Sequence, residues 1–168
     1  MKASEFIGMK VINSGAKEVG KIADLAVNLK ECLVDKIVIV EGGTLNKKYY
    51  SVTENDLAEI GDYVQLKLNS EDLEKISKAD KIEDLMDKES HFKDLVGKTV
   101  LSEDAMTVGK IEDMVIEPKE CLVHKILVST GGTFNKKHLM ISDTDIKHIG
   151  DYMVLKLSKE ELEEKTVD

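Results

Sequence analysis

The sequence has no tryptophan and no arginine, a single proline and two cysteines, and aromatics make up only 4% of its 168 residues. Each shortage excludes something. With so few rings, the core has to be built from Ile, Leu, Val and Met. All 24 basic residues are Lys. Arg supplies the planar two-pronged donor most used on guanine and phosphate, so its absence speaks against nucleic-acid recognition. The net charge of −9 argues the same way, because it offers no attraction to phosphate or anionic lipid. Two Cys 89 positions apart are no disulfide framework and are expected as free thiols in a reducing compartment. No apolar run exceeds about five residues, far short of the ~20 that a spanning helix needs. Met1-Lys2-Ala3-Ser4-Glu5-Phe6 shows no leader pattern. A cytoplasmic protein without direct membrane insertion is the expectation.

What the sequence does contain is a repeat. Shifted by 89 positions, residues 7–76 align on 96–165 without a gap, and 32 of these 70 positions are identical. Val19-Gly20-Lys21-Ile22 returns as Val108-Gly109-Lys110-Ile111, and Lys30-Glu31-Cys32-Leu33-Val34 as Lys119-Glu120-Cys121-Leu122-Val123. Ile60-Gly61-Asp62-Tyr63 returns as Ile149-Gly150-Asp151-Tyr152. Only a duplication produces this agreement, so both halves are expected to share one fold. The division is 1–76 for the first unit, 77–94 for a linker, and 95–168 for the second unit with a short C-terminal helix.

Each unit reads as short β-branched segments punctuated by Gly, Asn, Asp and Ser. In the first unit strands are expected near 8–12, 21–29, 33–40, 49–53 and 63–68, with a short segment at 56–60. Pro118 sits where the counterpart of the second strand should stop. Five or six short strands leave costly free edges unless they curl into a small barrel, and a barrel that narrow fills its interior with side chains. Asn69 or Ser70 and Ser158 can cap helices, with acids in the first turn. Leu73, Ile76, Ile82, Leu85 and Met86 recur near helical spacing, which predicts an amphipathic linker helix longer than the C-terminal one. The expected fold class is mainly β: two small barrels related by internal duplication and joined by an amphipathic helical linker.

Several residues together resemble a known family. Gly-x-x-Val from Gly8 is followed by Gly-Lys-Ile-x-Asp from Gly20 to Asp24, then by a β-branched strand running into Gly42-Gly43 and a Lys-bearing loop. This order, present twice, resembles the PRC-barrel, named after the photosynthetic reaction centre H subunit and found also in the ribosome maturation factor RimM. The resemblance spans about 140 residues. It departs at the paired glycines, where Thr44-Leu45-Asn46 and Thr133-Phe134-Asn135 replace the Phe-Leu-Gly frequent in the family. It implies PRC-type barrels serving as adaptors. Some small archaeal members act in cell division beside the tubulin-like ring protein and its SepF-type membrane anchor. The expected function is accordingly a non-enzymatic protein-binding adaptor in division-ring assembly, with a RimM-like ribosome-maturation role as the alternative.

No nucleophile, base and oxyanion donor assemble in the sequence, and no cofactor, metal or catalytic residue is expected. His91, His124, His138 and His148 lack the short spacings of zinc ligands; the first unit has Asp35, Tyr49 and Glu59 where the last three stand. They read as solvated surface histidines. Cys32 and Cys121 read as small buried or half-buried apolar residues, without a close approach to each other. The loop 42–48 lacks the Gly-Lys-Ser/Thr ending of a phosphate-binding loop. It reads as a turn with solvated Lys47 and Lys48, matched by Lys136 and Lys137, with Leu45 and Phe134 as apolar tips. The third strand is apolar on both faces, although a barrel buries only one. Val38, Val40 and Leu127 therefore need cover from outside, by the linker, the other barrel or a partner. The candidate interaction surface is Val38, Val40, Leu45, Lys47, Lys48, Leu127, Phe134, Lys136 and Lys137. Partner proteins, among them division proteins, or a second copy of the chain are the expected binders.

Overall fold

The computed structural model describes residues 1–87, 90–131 and 136–166. The first unit opens with a one-turn helix α1 (Ala3–Phe6), followed by β1 (Lys10–Ile12), β2 (Glu18–Asn28), β3 (Leu33–Glu41), β4 (Lys48–Val52), β5 (Leu57–Ile60), β6 (Val64–Leu66) and helix α2 (Ser70–Glu74). The second unit repeats the series: α3 (Phe92–Leu95), β7 (Thr99–Leu101), β8 (Thr107–Glu117), β9 (Leu122–Thr130), β10 (Lys137–Ile141), β11 (Ile146–Ile149), β12 (Met153–Leu155) and α4 (Lys159–Glu163). The expected strands are all present, and the short segment at 56–60 forms a further strand, β5.

Local chemistry explains the elements. Asn13 is buried, and its Oδ1 accepts from the N–H groups of Gly15 and Lys17, closing the β1–β2 turn. Gly20 has φ +142°, and a Cβ there would lie 2.4 Å from the Val40 carbonyl oxygen, so only glycine lets β2 approach β3 this closely. β8 ends as Pro118 opens a 3-10 turn, as its position predicts. Asn69 and Ser158 cap α2 and α4 by accepting from Asp72 N–H and Glu161 N–H.

Within each unit six strands pair side by side, in the order β5-β6-β1-β2-β3-β4 in the first. β1 and β6 run parallel and the other pairs antiparallel. Ile22, Leu25, Ile37, Ile39, Tyr50, Val52, Val64 and Leu66 fill the interior. Bulges between Ile22 and Asp24 and between Ala26 and Val27 bend β2. They leave Asp24, Ala26 and Val38 on the outer face, since Asp24 pairs with Val38.

The units are not two beads on a string. β3 and β9 pair at Leu33 and Leu122, making one twelve-stranded sheet. Val34 N–H donates to the Cys121 carbonyl and Val123 N–H to the Cys32 carbonyl, both at 2.8 Å. Lys2 of the first unit bridges to Val115 of the second, and His91 of the second to Ala26 of the first. Each contact thus has its twin 89 positions on, which is a pseudo-twofold axis through the Leu33–Leu122 pair. One continuous hydrophobic core runs through both halves, from Ala3 and Phe6 to Leu155 and Leu162. Sharing a core answers the marginal stability of a 70-residue barrel alone.

The linker departs from expectation. No long helix joins the units among the described residues, and α2 is no longer than α4, at five residues each. After α2 the chain becomes an extended strap. Ala79 exchanges two backbone hydrogen bonds of 2.8 Å with Tyr49 on the outer edge of β4, and a 3-10 turn follows at Ile82–Asp84. The free edge of β4 offers backbone partners that compete with helix formation, and the apolar spacing at 82, 85 and 86 serves to cover a sheet face.

Candidate interaction surface

The strap covers the outer face of the first unit. Met86 packs on Ala26 and Val38, with Ile82 and Leu85 against Ala23 and Tyr49 around them. Lys36 Nζ donates to the Leu85 carbonyl at 3.0 Å, and Lys48 pairs with Asp80. Val38 is consequently 0% exposed. It is no free surface residue, because this chain's own strap supplies the outside cover that its apolar outer position demands.

The strap is pinned at its far end. His91 is only 4% exposed, against the expectation of a solvated ring. Its Nδ1 lies 3.4 Å from Asp24 Oδ2 and its Nε2 3.3 Å from the Met86 carbonyl. The reason is its place next to α3, which crosses onto β2 of the other unit. Asp24 Oδ1 accepts from Leu25 N–H at 2.8 Å and from Lys93 N–H at 3.3 Å, so the Asp of the Gly-Lys-Ile-x-Asp motif caps the partner unit's entry helix. Asp113 does the same for α1, accepting from Ser4 N–H at 3.2 Å and from the Ser4 hydroxyl. Burial pushes the Asp24 carboxyl pKa up, opposed by its backbone donors and by the charges of His91 and Lys93. Sequence reasoning missed Ser4, Asp24, His91 and Asp113. The available signal was an Asp repeated at an internal strand position in both units.

On the second unit the same face has no such strap among the described residues. Leu127 takes the place of Val38, flanked by Asp113 on β8 and Met140 on β10. Among the described residues nothing lies over it as Met86 lies over Val38. Leu127 is half-buried and Met140 is 51% exposed. Beside them, Glu112 receives Lys136 Nζ at 2.7 Å and lies 3.0 Å from His138 Nε2. The Lys136 hydrogen bond, reinforced by the Lys136 and His138 charges, holds the Glu112 carboxyl below its ordinary pKa. Ala23, Lys47 and Tyr49 occupy these places in the first unit.

The other candidates scatter. Leu45 stands 95% exposed on the loop after β3, with Lys47 exposed beside it. Val40 is half-buried, opposite Tyr49. Lys137 begins β10 and is exposed. Phe134 lies outside the described residues. Cys32 and Cys121 are buried free thiols on either side of the pseudo-twofold, their Sγ atoms directed at the Leu29 and Pro118 carbonyls at 3.5 and 3.4 Å. Burial pushes the Cys121 thiol up to about 11, and Glu54 of the other unit adds to it. Among the described residues no group of three or more His, Cys, Asp or Glu is placed to hold a metal ion, and no helix is long and apolar enough to cross a membrane.

Two six-stranded units that share a core across a twofold, one outer face strapped and the other without a strap among the described residues, define a doubled small-barrel protein. The chain belongs to the PRC-barrel family: the family model for the PRC-barrel domain matches residues 1–73 and again 87–162. No curated protein matches the chain.

Proposed function

We propose that this tandem PRC-barrel protein is a non-enzymatic cytoplasmic adaptor that binds a partner protein through the outer face of β8, β9 and β10. One observation carries the reading. The duplicated unit keeps the apolar outer strand in both copies, but its own chain covers only the first: Val38 is sealed under Met86, while Leu127 and Met140 stand uncovered among the described residues. A docking interface combines an apolar centre with a polar rim, and Leu127 and Met140, beside Glu112, Lys136 and His138, have that composition.

The setting we assign is division-ring assembly beside a SepF-type anchor, following the family resemblance, which is an argument by analogy. Affinity capture from the native source with the full chain, and with Met140→Glu as control, tests both levels. Division proteins recovered by the parent and lost with Met140→Glu are the expected result. Ribosomal proteins alone would replace the division setting with a RimM-like one. No Met140-dependent protein at all, with light scattering showing self-association instead, would leave a structural homo-oligomer and overturn the adaptor.

A further inference from the structure

The strapped face shows what its open twin accepts. We infer that the second unit binds an extended acidic segment of a partner protein in the manner of residues 79–86: it pairs with the edge of β10 at His138, places a polar residue over Glu112 and two adjacent apolar residues on Leu127 and Met140. This rests on the adaptor reading and specifies its ligand.

The two units correspond position by position through the 89-residue offset. In the first unit Tyr49 turns its N–H and C=O outward, away from β3, and both bond Ala79. His138 has the same register on β10, opposite Ser129 as Tyr49 is opposite Val40. Among the described residues β10 pairs with β9 alone, so its outer edge at His138 is open to one more strand. Six and seven residues beyond Ala79 come Leu85 and Met86, over Val38 and Ala26. Their landing ground on the second unit is Leu127 and Val115, widened by Met140 where the first unit has the small Ser51.

Two differences set the partner's chemistry. Three residues beyond Ala79, Ile82 lies with Ala23 and Tyr49. The same spot on the second unit holds the Glu112–Lys136–His138 cluster, and an aliphatic side chain there would strip charge of water without a partner. A polar residue is required instead. The charge preference comes from the surroundings. The strap carries Asp80, Glu83, Asp84 and Asp87 against Lys78 and Lys81, a net acidic segment, while Lys110 and Lys125 are exposed on β8 and β9, and Lys136, paired with Glu112, lies just before β10. Lys125 stands where Lys36 grips the Leu85 carbonyl. An acidic segment therefore meets lysines on a chain whose overall charge is negative. Its far end would run toward Lys2, which already bridges to Val115 as His91 bridges to Ala26.

The probe is a fluorescein-labelled peptide of residues 77–87 carrying Ile82→Gln, titrated with the full chain and followed by anisotropy, with amide shifts from nuclear magnetic resonance. The expected result is saturable binding, about fivefold tighter than for the unaltered peptide. Shifts should centre on Leu127, His138 and Met140. Met140→Glu in the protein should weaken binding about tenfold. Because Met140 is already exposed, that variant should keep the parent's melting temperature; Leu127→Asp gives a second reading at the same face. Absence of binding, binding indifferent to Met140→Glu, or shifts centred on Val38 and Tyr49 from displacement of the strap would each overturn the inference. If Met140-dependent capture of a partner persists while the peptide fails, the adaptor stands and only the strap-like ligand falls; if both fail, the adaptor reading falls as well.

Discussion

Ser4 and Asp113, 109 residues apart, are joined by two hydrogen bonds: the Ser4 N–H lies 3.2 Å from Oδ1, and its hydroxyl donates to Oδ2. The contact spans the two units, since Ser4 belongs to the entry helix of the first and Asp113 to the second strand of the other. Asp24 and Lys93 repeat it at the twin position. Asp113→Ala leaves the backbone N–H groups of Ser4 and Met114 and the Ser4 hydroxyl without this acceptor at a partly buried site. It should cost about 2–3 kcal/mol in urea unfolding, and Ser4→Ala about 1 kcal/mol. The double variant should cost less than the sum. Additive losses would show that the two side chains do not act as a pair.

Asp24 makes a prediction in pH. Burial raises its carboxyl pKa, so the folded chain holds this proton more tightly than the unfolded chain does. The stability contribution is then fully present below the unfolded pKa and is lost as pH rises through the folded one. Asn mimics the protonated acid and keeps an oxygen for the Leu25 and Lys93 N–H groups. Asp24→Asn should therefore improve relative to the parent as pH goes from about 3 to 7, the direction set by desolvation. Urea midpoints across that range decide it. A relative loss on going to pH 7 would show that pairing with His91 outweighs burial.

The strap makes the twin faces unequal under truncation. Met86→Ala removes a buried side chain from above Val38 and Ala26 and should cost about 2–3 kcal/mol. Met140→Ala, at the half-exposed twin face, should cost less than about 0.5 kcal/mol. Thermal unfolding of the two variants separates them. Equal costs would mean that the strap contributes no packing in solution.

Cys121 is buried, with its thiol pushed up to about 11 and its Sγ facing the Pro118 carbonyl. At pH 8 its thiolate population is about a hundredfold below that of an ordinary cysteine. Labelling of the native protein by a thiol reagent should be correspondingly slow, while two thiols react at once in urea. Fast labelling of the native chain would show that the Leu33–Leu122 seam opens readily.

Much of this architecture was legible in residues alone. The paired glycines, the Asn13 turn and β-branched runs gave the strands, because turn chemistry and period-two patterning are local. The 89-residue offset made every statement about one unit a statement about the other, and the excess apolar character of the third strand pointed to a covered outer face. Reading 82, 85 and 86 as a helix failed because that spacing also suits a strap crossing a sheet. Choosing between them requires knowing that the β4 edge lies beside Ala79. His91 was misread for a similar reason: its burial comes from β2 of the other unit, 65 positions away from it at Ala26.

By itself, then, the sequence determined the duplication, the strand inventory, the helix caps and the need for a second apolar layer, all of which follow from short-range backbone preferences and side-chain period. Only the tertiary structure decided that the units share one core, that Asp24 and Asp113 cap each other's entry helices, and that the strap seals Val38 while, among the described residues, nothing seals Leu127. Those outcomes depend on which free edge and which uncovered face come within reach of which segment, and that is a matter of distance in space.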